Sequence, residues 1–432
     1  MKKGPSIRDI RITPVAVADP PVLNAAGLHA PYALRIVLEV ITSDGITGIS
    51  EIPGSRRILQ ALERLTPHII GCDPFEWHTL RLRITSVLGK DVQADRGDRP
   101  WDQRVVIHIF SALEVACMDI VGKVTERSIA SLLGGARREQ VPFSAYLFYK
   151  YEGAGGPLGF GIDPKAAPGW PTSRQEAALD PEGIVRQAEA MVQAFGFKSI
   201  KLKGGVYPPD IERDTLIALA KAFPDLPLRF DPNAVWSLET ARTYGPQLQP
   251  YLEYLEDPVR TQSAMAALRS ELDLPLATNM CTTSFEDLPD SIVLGSEDII
   301  LCDHHFWGGM RATMDLATLC SVFQRKLSMH SNNHLGISFA AMIHLGAALP
   351  EFSYALDTHY PWQHEEVIVG GRIPLVEGMA ELPSGPGLGV EIDRDALDRL
   401  HQQYLQCGLE ERDDQAMMQT VQPDWVFKAT RW

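Results

Sequence analysis

The sequence predicts an α/β fold: a (β/α)8-type barrel, preceded by an α+β domain that a segment at the far end of the sequence completes. Two observations carry the barrel. From Val141 on, short apolar runs recur, each followed by a polar, helix-like stretch: VPFSAYLF, KSIKLK, LPLRFD, YLEYLE, LPLAT, DIILCD, KLSMH and FSYALDTH. Alternating units of this kind imply a parallel sheet, and eight of them suggest closure into a barrel. The second observation is that these runs end on polar residues at a nearly constant interval. From Lys203 to Asp231, Glu256, Asn279, Asp303 and His330 the steps are 28, 25, 23, 24 and 27 residues.

The elements follow in order. Residues 1–138 read as the α+β domain. Ile7–Val17 and Ala33–Ile41 alternate roughly in twos, and Thr42-Ser43-Asp44-Gly45 is a turn signal, so an antiparallel meander is expected there. Helical periodicity covers about Arg56–Ile70, Phe75–Leu88 and Arg104–Lys123. The barrel is assigned to 139–387. The Gly- and Pro-rich stretch Lys150–Ser173 interrupts its first unit as a long loop near the mouth. Residues 388–432 turn polar and helical, end on an aromatic Trp425–Trp432 stretch, and are expected to pack back on the first domain.

Composition narrows the function. The 432 residues carry 40 Lys and Arg against 55 Asp and Glu, a formal charge of −15, which argues against a sequence-independent nucleic-acid binder. It leaves room for an anionic small molecule in a local cationic pocket. MKKGPSIRDIRI has no apolar stretch behind its basic residues, and no long apolar run follows, so neither a leader nor a membrane span is expected. Cys72, Cys117, Cys281, Cys302, Cys320 and Cys407 show no paired spacing, which suits a reduced cytoplasm.

Taken singly, the strand-end residues have ordinary explanations. An Asp after a strand is commonly a helix cap, and Lys-x-Lys is commonly a solvated edge. His330 and His334 in HSNNH would suit a transition metal only on a helix; His334 otherwise reads as a core or loop histidine, and His304-His305 has no partner spacing. KLKGG lacks a phosphate-loop glycine pattern. The periodic set outweighs these readings, because barrel strand ends converge on one mouth. Asp231, Glu256 and Asn279 offer oxygen ligands only, which suits Mg²⁺. Lys201 and Lys203 share a strand face, where each ammonium is expected to lower the other's pKa and favour a base. His330, one unit after Asp303, gains a carboxylate that sets its tautomer. A cation between two bases suits removal of a proton α to a carboxylate.

These residues resemble the enolase superfamily, and within it the glucarate dehydratase subgroup. The resemblance rests on FKSIKLKGG, DPNAVWSL, LEDP, ATNM, DHHFWGG, HSNNH, ALDTHYPW, GPGLGVEID and ERDD, and spans nearly the whole chain. It implies that Asp231, Glu256 and Asn279 bind Mg²⁺, that Lys203 and His330 are the acid/base pair with Asp303 orienting His330, and that Lys201 neutralises the substrate carboxylate. Asn233 would face the site. Asn24, His29, Tyr146, Ser331, His359 and Arg431 would contact an acid sugar with two carboxylates, with Arg431 the candidate for the distal one. The implied reaction is dehydration to a 2-keto-3-deoxy acid. Epimerisation, a role as an inactive paralogue in a complex, and a non-catalytic ligand-binding barrel stand as alternatives, and a homo-oligomer is compatible. The resemblance departs at Val105 and Val106, where the family pattern carries threonines, so a substrate hydroxyl loses a partner and the identity of the acid sugar stays open.

Overall fold

The computed structural model describes residues 4–89, 97–350 and 352–432. An N-terminal meander of β1 (Ile7–Ala18), β4 (Tyr32–Thr42) and β5 (Thr47–Pro53) is antiparallel in the order β1-β4-β5. Between its first two strands a small hairpin forms from β2 (Leu23–Asn24) and β3 (Gly27–Leu28). Helices Arg56–Ile69, Trp77–Leu88 and Val106–Thr125 complete this domain.

The barrel strands are β6 (Gln140–Phe148), β7 (Ile200–Lys203), β8 (Leu228–Asp231), β9 (Leu252–Glu256), β10 (Leu276–Thr278), β11 (Ile299–Cys302), β12 (Lys326–Met329) and β13 (Leu356–Asp357). They pair in the order β12-β11-β10-β9-β8-β7-β6-β13. All these pairs are parallel. At the seam between β12 and β13, Ser328 Oγ donates to the Ala355 carbonyl at 3.3 Å. A last strand, β14 (Met379–Glu381), adds antiparallel to the start of β6. The eight predicted strands are therefore present as a nearly closed parallel barrel. The final run is the shortest, because Leu356–Asp357 gives way to a tight turn at Tyr360–Trp362. Among the described residues no helix is long and apolar enough to cross a membrane.

Local chemistry sets the βα joints. Asp180 accepts from Gly183 N (2.7 Å) at a helix that opens with Pro181, and Ser237 caps the crossover helix Leu238–Leu248 at Thr240 N (3.1 Å). β4 is buried along most of its length because it lies between two cores. Ile36, Leu38 and Val40 pack with Ile58, Leu62 and Leu113 of the domain's own helices, while Val37 joins the larger cluster on the barrel side. At Gly48 a Cβ would lie 2.0 Å from the Ala116 carbonyl, so only glycine lets β5 lie this close to the helix Val106–Thr125.

Two buried carboxylates seat the first domain on the barrel. Glu51 accepts from Leu335 N (2.9 Å) and Ser338 N (3.0 Å), at the start of the barrel helix Gly336–Ala348, and pairs with Arg35 Nε at 2.6 Å. Glu114 accepts from Met310 N (2.8 Å) and Arg311 N (3.1 Å), at the start of the helix Met310–Val322. Each carboxyl meets otherwise unsatisfied amides at a positive helix end, and burial pushes Glu114 up to about 7. Beyond residue 388, the helix Arg394–Cys407 lies along β1, where His401 Nδ1 meets the Pro14 carbonyl (2.7 Å) and Gln403 donates to the Ala16 carbonyl (2.9 Å). Arg431 and Trp432 reach beyond the first domain: their backbone amides bond to Val235 O, on the barrel, while the Arg431 guanidinium keeps a bond to Ala25 O.

Replacing Glu51 by Ala strips two amides and Arg35 of their partner. A loss of about 3–5 kcal/mol is expected for breaking a buried ion pair one-sidedly, read as a fall in the urea midpoint. An unchanged midpoint would show that this carboxylate does not hold the domains together.

Candidate active site

The strand register brings the predicted polar residues together. Lys203 on β7 stands opposite Asp231 on β8, and Lys201 opposite Tyr146 on β6. Lys203 Nζ donates to Asp231 Oδ2 at 2.6 Å. Lys201 Nζ lies 2.5 Å from Glu256 Oε2, 2.6 Å from Asp357 Oδ2 and 4.0 Å from Asp231 Oδ2, beneath the Tyr146 ring. Asn233 turns back to donate to both oxygens of Asp231 at 3.0 Å. Asn279 Nδ2 approaches Glu256 Oε1 at 3.3 Å, and Asp257 holds the Asn279 amide at 2.8 Å.

The expectation that the two lysines depress each other fails for Lys201. Burial alone would lower its pKa, but Asp357 and Glu256 outweigh that and hold it well above the usual lysine range. Lys201 is a fixed cation, and Asp357 is the partner that spacing along the sequence did not reveal. Burial would raise Asp231, yet the Lys203 and Lys201 charges keep it below the usual carboxylate range. Glu256 is pushed well above that range by burial and by Asp231 beside it.

The donor set suits a hard divalent cation. Asp231, Glu256 and Asn279 present two carboxylates and an amide, all buried, at adjacent strand ends. Glu256 Oε2 has an ion-pair contact but no aligned hydrogen bond, which leaves a lone pair available. A cation would also relieve the repulsion between the two carboxylates. Among the described residues no group of three His, Cys, Asp or Glu side chains forms such a site, and the trio here qualifies only through its amide.

Across the mouth, His330 Nδ1 lies 3.6 Å from Asp303 Oδ2, and its ring packs on Phe306 at 5.0 Å. Burial pushes Asp303 up to about 7. Lys203 and His330 both line a cavity of about 50 Å³, together with Asn24, His29, Tyr146, Ser331 and His359. A second chamber of about 290 Å³ adjoins it and shares His29, Trp101, Phe306, Asn332, Asn333 and Arg412 with it. Val105 lines this chamber; Val106 opens the helix behind it.

Arg431 lines neither cavity. Its guanidinium is committed to the carbonyls of Gly205 (3.1 Å) and Ala25 (2.7 Å). Arg412, within the ERDD motif, occupies the wall instead. It bonds to His29 Nε2 (2.7 Å) and Asp414 Oδ2 (2.6 Å) and stacks over Trp101 at 4.3 Å. Because arginine only donates, His29 accepts at Nε2 and donates from Nδ1 to Asp19 at 2.8 Å. Asn24 donates to Asp414 at 2.6 Å, so both predicted residues of the N-terminal loop are held by Arg412 and Asp414. The sequence sign of Arg412 was its place in the ERDD motif, but by composition an Arg among acids reads equally as a solvated surface.

HSNNH is not helical. Residues 330–335 are a loop before the helix at Gly336, so His330 and His334 do not form a helical metal pair. His334 joins His304 and His305 in a buried cluster, with ring centroids 4.0–5.9 Å apart.

A capped α/β barrel whose mouth gathers buried carboxylates, paired lysines and a carboxylate-backed histidine defines a class of barrel enzyme. The chain matches the model of the mandelate racemase / muconate lactonizing enzyme N-terminal domain over residues 7–134 and that of the enolase C-terminal domain-like family over 183–396. It is 41% identical to the probable glucarate dehydratase of Streptomyces coelicolor, covering 100% of both chains. An enolase from Mycobacterium smegmatis, crystallised with tartrate, superposes with a TM-score of 0.91 at 46% identity, covering 100% of each chain. One from Thermobispora bispora, crystallised with magnesium and formate, gives 0.92 at 45%, covering 99% of this chain and 100% of that one. The chain belongs to the enolase superfamily.

Burial and the neighbours His304, His334, Arg35 and His108 hold His305 well below its ordinary pKa. An unfolded chain therefore takes up a proton there that the folded one refuses, and stability falls as pH drops below about 6.5, by up to about 1.4 kcal/mol per pH unit for one site. His305→Gln should flatten the wild-type loss in urea stability between pH 7 and pH 5. Equal slopes in the two proteins would refute the assignment.

Proposed function

We propose that the chain is a Mg²⁺-dependent hydro-lyase that removes water from an acid sugar carrying two carboxylates, such as the hexarate glucarate or its epimer idarate. The observation that carries this reading is that Lys203 and the Asp303-backed His330 line one cavity, and that Lys203 is hydrogen-bonded to Asp231 of a buried trio of oxygen ligands. The name of the Streptomyces coelicolor relative supports the substrate class.

In this reading Asp231, Glu256 and Asn279 hold Mg²⁺, which when bound supplies charge stabilisation to the reacting carboxylate. Lys203 in its unprotonated form takes the α-proton and becomes the ammonium that donates to Asp231, and the fixed Lys201 charge lowers the cost of the negative charge that develops. His330 donates a proton to the departing β-hydroxyl, which leaves as water. The enol then tautomerises to a 2-keto-3-deoxy acid. Arg412 grips the distal carboxylate, and Asn24, His29, Tyr146, Ser331 and His359 shape the space between. Two proton-transfer groups on one cavity also favour a second reading, epimerisation at the α-carbon.

The test is turnover of hexarates, pentarates and aldonates with Mg²⁺, followed as 2-keto acid. Formation from a hexarate, abolished by chelation, is expected, and His330→Gln should lower it about 10²–10⁴-fold. Solvent deuterium at the α-carbon without keto acid would select the epimerase. No reaction from folded, Mg²⁺-binding protein would overturn both readings.

Arg412→Ala should raise KM for diacids by about tenfold to a hundredfold, the equivalent of roughly 1.4–3 kcal/mol for a charge-assisted contact. It should leave mono-acids of equal length nearly unaffected. An equal effect on both classes would place the distal carboxylate elsewhere.

A further inference from the structure

Arg431 and Trp432 lie where three loops of the site meet. The first loop follows Lys203. Its Gly205 has φ +73°, and a Cβ there would meet Pro232 O at 2.4 Å, Val235 Cγ2 at 3.0 Å and Ala25 Cβ at 3.1 Å. Glu212, fully buried, grips this loop from below by accepting from Gly205 N (3.1 Å), Val206 N (2.9 Å) and Tyr207 N (3.1 Å). From the other side Arg431 donates to Gly205 O. The second loop follows Asp231. Asn233 (φ 55°) and Ala234 (φ 56°) are consecutive left-handed residues, a strained geometry for side chains with a Cβ. The turn is held by Ala234 N on Asp257 O (2.7 Å) and by two amides on Val235 O, from Arg431 (2.7 Å) and Trp432 (3.2 Å). Ser237 N returns a bond to Trp432 O at 2.6 Å. The third loop is the hairpin β2–β3, where Arg431 donates to Ala25 O, next to Asn24.

We propose that Arg431 and Trp432 form a strap that positions Lys203, the Asp231–Asn233 turn and Asn24 relative to one another, so that Arg431 is a positioning residue and not a substrate ligand. The inference rests on the reading that those residues belong to the active site. A guanidinium bridging a barrel carbonyl and a capping-domain carbonyl fixes the distance between the base and the pocket wall. The two backbone amides on Val235 bear on the strained turn that aims Asn233 at Asp231, and the Arg431 guanidinium, anchored on Gly205 O and Ala25 O, holds that backbone segment in place. Small displacements of such groups reduce the rate more than they weaken binding.

The test compares wild type, Arg431→Ala and Arg431→Lys as full-length, Mg²⁺-loaded protein. Hydrogen exchange should quicken on the order of tenfold in Arg431→Ala over Gly204–Tyr207, Asn233–Ser237 and Leu23–Leu28, with the helix Val106–Thr125 unchanged. Turnover should show kcat lower by about 10–100-fold with KM little altered. Arg431→Lys, which keeps a cation and a donor, should recover part of both. Should Arg431→Ala not fold, Arg431→Gln carries the same readouts. Unchanged exchange at the three loops overturns the strap. So does a loss confined to KM, which would return Arg431 to substrate binding. If wild type transforms no acid sugar, the proposed function fails, while the exchange measurement still decides whether the strap exists.

Discussion

The docking of two carboxylates onto two barrel helix ends is the constraint on which the site depends. Glu51 and Glu114 leave the first domain and enter the barrel at Leu335–Ser338 and Met310–Arg311. Each contact answers amides that have no partner within their own helix, in a region closed to water. Those helices follow β12 and β11, whose loops carry His330 and Asp303. The same bonds that fix the domain interface thus fix the wall of the mouth where the histidine stands. The cavity needs that orientation, since Asn24, His29 and Arg412 approach from outside the barrel while Lys203, Tyr146 and His359 rise from within it.

The interior of the mouth is an arrangement of charges with divided roles. Lys201 is surrounded by Asp357, Glu256 and Asp231, and so stays cationic and buried. Lys203 reaches only Asp231 and opens to the cavity. Two lysines two residues apart therefore differ because the neighbouring strands give one of them three anions and the other a single one. This division favours assigning neutralisation to Lys201 and proton transfer to Lys203.

Much of this was legible in the sequence, for a geometric reason. A βα unit has a nearly fixed length, so a barrel that gathers chemistry at one rim must space its polar residues by that length. Lys203, Asp231, Glu256, Asn279, Asp303 and His330 obey this spacing. Asp357 escaped because its strand is only two residues long and the apolar run around it drew attention to its end at His359. The depression expected of Lys201 failed because spacing shows neighbours on one strand and not anions from the next. Arg431 was expected on the cavity wall, where Arg412 stands, because the segment beyond residue 388 has no repeating unit to place its arginines.

The contact between Asn24 and Asp414 joins residues 390 apart in the chain. Arg412 meets His29 across 383 residues. Contacts of this kind carry a loop-closure cost that shorter ones do not, so they tend to form late in folding. The strands from β6 to β12, each paired with a neighbour one unit away, have no such delay, whereas β13 must return to β6. During synthesis, the rim that bears Lys203 and His330 can assemble while the outer wall of its pocket still lacks the residues that close it.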